Sequence, residues 1–102
     1  MKLLDKLGRE IKQTEIDLGR VEVGNKATYE FYIYNENSSF VEDIKVKLEN
    51  VTDKDEITIL KAPKELKAGE KSLFKIEWSP SLKLKKGLKI GIKITGLEVY
   101  NP

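Results

Sequence analysis

Hydrophobic and polar residues alternate along several short stretches of this chain. The clearest alternation covers residues 27–34, where Thr28, Glu30, Tyr32 and Tyr34 separate the side chains of Ala27, Tyr29, Phe31 and Ile33. A period of two predicts a strand that turns one face toward a core. Turn-forming residues at 24–26 and 35–39 bound this strand at both ends.

The same period predicts further strands on both sides of this one. They cover residues 14–18, 44–48, 57–59, 72–78, 82–84 and 88–94. Pro80 lacks a backbone donor and should end the strand that reaches Trp78. Leu66 lies in a connection and is expected to tuck under the sheet. The apolar positions change parity after Ile94, so Gly96 predicts a bulge or a bend into a further strand.

The chain has 102 residues, which is enough for one domain with one core. Residues 1–13 are predicted to be an N-terminal extension, and residues 14–102 the main domain. Gly8 interrupts an otherwise nearly helical spacing of apolar residues in the extension. We expect a small hairpin across residues 6–9, with a short helix as the alternative.

Seven or eight short strands separated by turns indicate an all-β fold. We predict an immunoglobulin-like β-sandwich of two antiparallel sheets. A small OB-type barrel is the alternative. Because the chain has no cysteine, no disulfide can brace the sheets, and Trp78 is expected to be a central packing residue.

The side chains that usually carry catalysis are scarce in this sequence. There is no histidine and no cysteine, so the commonest general base and the commonest metal ligand are missing. The acidic loop at residues 53–56 has carboxylates, but Lys54 interrupts it, it lacks the glycine of a tight ion loop, and its spacing fits no EF-hand. We therefore expect no enzyme activity, no small-molecule substrate, no metal and no cofactor.

The charge is unevenly distributed, although the net charge is only +2. Residues 1–60 carry 9 basic and 13 acidic side chains, whereas residues 61–93 carry 10 basic and 3 acidic ones. Alternation places Lys89 and Lys93 on one exposed face, which favours weak electrostatic binding of an acidic partner. Stacking aromatics are not interleaved with these lysines, so sequence-specific binding of nucleic acid is not expected. No apolar stretch is long enough for a membrane span, so no membrane partner is expected.

Tyr32 and Tyr34 lie on the opposite side of their strand from Phe31 and Ile33. Tyrosine is enriched at protein interfaces because it combines apolar area with a hydroxyl group. One interpretation is that both rings are anchors for a protein partner. The other is that the N-terminal residues 3–11 fold over them.

A family likeness follows from particular stretches of this sequence. The stretches IDLGRVEVGNKATYEFYIYNENSS and APKELKAGEKSLFKIEWSPS resemble the immunoglobulin-like modules of the ASPM, SPD-2 and hydin type and the related major sperm protein fold. The matching positions are Asp17-Leu18-Gly19, Gly24, Asn35, Leu66, Gly69-Glu70 and Pro80, within residues 16–94. Glycine is usual in that family after the position of Asn35, where this chain has Glu-Asn-Ser-Ser.

The resemblance implies a docking module without catalytic residues. A lone domain of this kind also resembles accessory and decoration proteins of tailed bacteriophages. The expected function is therefore that of a structural virion protein that binds a repetitive capsid or tail lattice or associates with itself. The alternative is a cytoplasmic adaptor, similar to major sperm protein, that binds acidic peptides.

Overall fold

A computed structural model describes residues 1–51, 56–80 and 88–99 of the chain. Seven strands and no helix are found in these ranges. The strands are β1 (Lys2–Leu4), β2 (Ile16–Asp17), β3 (Ala27–Tyr34), β4 (Phe40–Glu49), β5 (Ile57–Lys61), β6 (Lys71–Trp78) and β7 (Lys89–Val99). A helix that could cross a bilayer is accordingly not present in the described part of the chain.

The strands form two antiparallel sheets. The four-stranded sheet has the order β1-β3-β6-β5, and the three-stranded sheet has the order β2-β7-β4. No pairing among the described strands joins the two sheets into a closed barrel. The prediction of an all-β fold with two antiparallel sheets is confirmed.

The core lies between the inward faces of the two sheets. The four-stranded sheet contributes Leu3, Phe31, Ile33, Phe74, Ile76 and Trp78, and the three-stranded sheet contributes Ile16, Val41, Ile44, Ile90 and Ile92. The rings of Phe31 and Phe74 face each other across β3 and β6, with their centroids 6.2 Å apart. Trp78 is completely buried, as its place in the alternating pattern predicted.

Residues 1–13 form part of the four-stranded sheet and turn back on themselves. Leu3 on β1 is completely buried and pairs with Ile33. The chain then turns through residues 5–9, and Leu4 forms an antiparallel bridge with Glu10. The turn is held by the Asp5 carboxylate, whose Oδ1 accepts hydrogen bonds from the backbone N–H groups of Leu7 and Arg9. The short-helix alternative for this segment is therefore wrong.

A β-bulge lies opposite Gly96 and corrects one prediction. Strand β7 continues through Gly96 to Val99, so no separate strand begins there. The extra residue is on β4, where the register shifts between Glu42 and Lys45 and Asp43 has a φ of 51°. The bulge does not turn Leu97 toward the core: Leu97 is paired with Glu42 on the outer face of the sheet and is exposed.

Asn35 fastens the end of β3 to the connection that precedes β6. Its side chain is completely buried, and its Nδ2 lies 3.0 Å from the Ser39 carbonyl oxygen and 3.1 Å from those of Leu66 and Lys67. Its Oδ1 accepts a hydrogen bond from the Asn37 N–H. Leu66 is buried as predicted and exchanges both backbone hydrogen bonds with Val41.

Some predictions fall outside the described residues. These are the strand at 82–84, most of the acidic loop at 53–56 and the last three residues of the chain. The two-residue β2 is shorter than the strand predicted at 14–18.

Candidate functional site

Tyr32 and Tyr34 lie on the outer face of the four-stranded sheet. Their neighbours in β3, Phe31 and Ile33, are buried in the core, so alternation turns both tyrosines outward. Residues that face each other across paired strands share one face of a sheet. Tyr32 is paired with Leu4 of β1 on one side and with Leu73 of β6 on the other. We call the set Leu4, Tyr32, Tyr34 and Leu73 the tyrosine face.

Charged residues surround the tyrosine face, and most of them are paired. Salt bridges join Lys2 to Glu10 at 3.7 Å, Lys6 to Glu30 at 3.7 Å and Lys75 to Glu30 at 3.8 Å. The ammonium group of Lys71 instead lies over the Tyr32 ring, 5.4 Å from its centroid. A centre of apolar and aromatic side chains inside a charged rim is the arrangement of residues found in protein interfaces.

The N-terminal segment lies beside the tyrosines and does not cover them. Residues 2–4 pair edge to edge with β3, and the following turn continues along the same edge of the sheet. The covering interpretation from the sequence is therefore wrong for the described residues. Tyr32 and Tyr34 remain partly exposed.

Lys89 and Lys93 lie on the outer face of the three-stranded sheet, as alternation along β7 predicted. Both are exposed, but their surroundings differ. Lys89 is paired with Asp17 across the strands, and its Nζ lies 3.1 Å from Glu15 Oε1. Lys93 is directly opposite Lys47 of β4.

The Lys47 and Lys93 pair has no neutralising carboxylate within salt-bridge distance among the described residues. Lys45 precedes them on the same face and contacts Asp43 at 3.9 Å. We call the set Lys45, Lys47, Lys89 and Lys93 the lysine face. Like charges directly opposite each other in a sheet are destabilising, so an anion bound between Lys47 and Lys93 would relieve their repulsion.

An open groove of about 380 Å³ runs between the N-terminal turn and β3. Asp5, Lys6, Arg9, Tyr29 and Glu30 are among its lining residues. Hydrogen bonds from the backbone of Arg9, followed by its side chain and the backbone of Leu7, lower the pKa of the Asp5 carboxyl group. Its oxygens thus hold the turn together.

No group of three or more carboxylates is placed to hold a metal ion in residues 1–51, 56–80 and 88–99. The Tyr29 hydroxyl donates a hydrogen bond of 2.7 Å to the Leu18 carbonyl oxygen. Burial, and then the Asp17 carboxylate, raise the pKa of this hydroxyl.

Sequence reasoning found the two tyrosines but not their neighbours. Leu4 and Leu73 join the tyrosine face, and Lys71 lies at its rim, only through the pairing register of β1, β3 and β6, which no short-range pattern specifies. Lys47 joins Lys93 in the same way. The alternation of lysine with apolar residues at 45–48 was the available signal for the lysine face.

Comparisons with protein-family models, curated proteins and solved structures found no significant match to this chain. The likeness to immunoglobulin-like docking modules thus remains a prediction from the sequence stretches quoted above.

Proposed function

We propose that this protein is a non-enzymatic structural protein that docks through its tyrosine face onto a repetitive protein lattice. One observation carries the proposal. Tyr32 and Tyr34 lie side by side with Leu4 and Leu73 on an outer sheet face that no described segment covers. Aromatic side chains in such a position are the residues that most often dominate binding energy at interfaces.

The absence of histidine and cysteine from the sequence supports a binding role over a catalytic one. The four residues of the tyrosine face make a small contact, which favours weak binding by each copy. Many weak contacts on a lattice add through avidity, so a modest interface suffices there. We propose that this lattice is a virion, because the chain resembles the immunoglobulin-like accessory proteins of tailed bacteriophages.

The test is co-sedimentation with the large assemblies of the source particles or lysate. The variant Tyr32→Thr/Tyr34→Thr keeps strand-compatible side chains but removes both rings. We expect its retention on the assembly to fall about tenfold or more, because both ring contacts are lost. Its urea midpoint should stay close to that of the unaltered protein.

Tyr29→Phe is the matched control, because Tyr29 is on the same strand but makes its hydrogen bond to Leu18 inside the fold. This variant should co-sediment normally. Unchanged retention of Tyr32→Thr/Tyr34→Thr would contradict the proposal. Joint loss of folding and binding would assign the two tyrosines to the stability of the sheet.

The lysine face supports a second candidate, a cytoplasmic adaptor for acidic peptides. The uncompensated pair of Lys47 and Lys93 favours it, whereas the contact of Lys89 with Glu15 does not. Binding at this face should weaken steeply as ionic strength rises, because exposed charges are screened. Lys93→Glu should abolish such binding and leave lattice docking through the tyrosine face intact.

A further inference from the structure

We infer that the partner of the tyrosine face presents a carboxylate beside an apolar side chain, and that Lys71 is the residue that receives the carboxylate. The inference rests on the proposed docking role of this face and specifies the chemistry of the partner. Lys71 differs in its contacts from the other lysines that surround the face.

Lys2, Lys6 and Lys75 each have a glutamate within 4.0 Å, and so does Lys26 farther along the same sheet. Lys71 has no carboxylate within that distance among the described residues, although it lies directly beside the apolar set. It is paired with Tyr34 across the strands, and its ammonium group lies over the ring of Tyr32.

The position of Lys71 over the ring links the charge to the apolar surface. An exposed cation over an aromatic face is held weakly. A carboxylate from a partner forms a stronger, charge-assisted hydrogen bond with an ammonium group. When Lys71 moves to such a carboxylate, the outer face of Tyr32 becomes free to receive the neighbouring apolar side chain.

The rest of the rim favours an acidic partner over a basic one. Lys61 of β5 is in register with Lys75 and has no salt bridge within 4.0 Å among the described residues. Glu30, the acidic residue closest to the centre of the face, already contacts both Lys6 and Lys75. A basic segment would find no carboxylate here without breaking an existing pair, whereas an acidic one finds Lys71 and Lys61.

The experiment uses the full chain and three synthetic peptides of one design. Each peptide has a central Leu-Phe pair flanked by glutamates, by glutamines or by lysines, and binding is followed through the amide resonances of the protein in NMR spectra. We expect the glutamate peptide to shift the resonances of Tyr32, Leu73 and Lys71. The glutamine peptide should bind about fivefold more weakly and the lysine peptide more weakly still.

Charge reversal on each sheet supplies matched variants. Lys71→Glu should weaken binding of the glutamate peptide by about fivefold or more, and Lys93→Glu, the same change on the lysine face, should not. Equal binding of the three peptides, no binding of any of them, or shifts centred on Lys47 and Lys93 would overturn the inference. Tyr32→Thr/Tyr34→Thr could still show reduced retention on the assembly alongside these results. The docking role would then stand, and only the acidic character of the partner would be refuted.

Discussion

The side chain of Val41 occupies the space that a side chain on Gly96 would need. A Cβ atom placed on Gly96 would lie 2.5 Å from Val41 Cγ1 and 3.2 Å from Met1 Cε. Contacts as short as 2.5 Å do not occur between such atoms, so the glycine is what allows β7 to cross the bulge of β4 with Val41 packed in the core. This relationship yields the first prediction.

Gly96→Ala should lower the free energy of unfolding by about 1–3 kcal/mol, because the added methyl overpacks a filled site. Urea unfolding measures the change. In the double variant Val41→Ala/Gly96→Ala the overlapping methyl of Val41 is gone. The destabilisation of the double variant should therefore be about 1 kcal/mol smaller than the sum of the destabilisations of the two single variants. Full additivity would show that the two side chains do not meet.

Asn35→Ala should destabilise the protein by about 2–3 kcal/mol. The substitution removes the Nδ2 contacts to three carbonyl groups and the acceptor of the Asn37 N–H in a fully buried place. Asn25→Ala, in an exposed turn, is the control and should change stability by no more than about 0.5 kcal/mol. Equal effects of the two changes would refute the view that Asn35 fastens the loops.

The raised pKa of Tyr29 predicts a loss of stability at high pH. The folded state holds the phenolic proton more tightly than the unfolded state, whose tyrosines titrate near pH ~10. This contribution is thus complete below pH ~10 and disappears as the pH rises through the folded-state pKa. The stability of Tyr29→Phe, measured by urea unfolding from pH 8 to 11, should fall less steeply than that of the unaltered protein; parallel curves would disprove the assignment.

Lys47→Glu should stabilise the protein by about 0.2–1 kcal/mol, because it turns a like-charge pair with Lys93 into an opposite-charge pair. The gain should shrink at high salt. Lys89→Glu should have the opposite sign, since it places a third acid beside Glu15 and Asp17. Thermal unfolding of both variants at low and high salt provides the test, and a loss of stability in Lys47→Glu would argue against the cross-strand repulsion.

The strands were predictable because burial on one face imposes a period of two on side-chain polarity. Alternation therefore predicts one buried face for Phe31 and Ile33 and a central packing position for Trp78, and all three are buried. Which strands pair, and in which register, depends on contacts between distant parts of the chain. For that reason the place of β1 beside β3 was not foreseen.

The β-bulge of β4 and the hydrogen bonds of Asn35 also depend on contacts between distant parts of the chain. The parity change near Gly96 predicted a bulge or bend in β7, but the extra residue is on the partner strand β4, and Leu97 is exposed on the outer face. From the sequence, Asn35 is only one of the positions that match the immunoglobulin-like modules. Its contacts to Leu66 and Lys67 bridge more than thirty positions, and no local pattern reports such a contact.

The most direct test of the docking claim is covalent labelling of the protein while it is attached to its assembly. Tyrosine nitration and lysine acetylation are compared between free and attached protein, and the modified positions are quantified by mass spectrometry. Our account predicts that attachment slows labelling of Tyr32, Tyr34 and Lys71 and leaves Lys47 and Lys93 unchanged. Protection of Lys47 and Lys93 with unaltered labelling of the two tyrosines would contradict it.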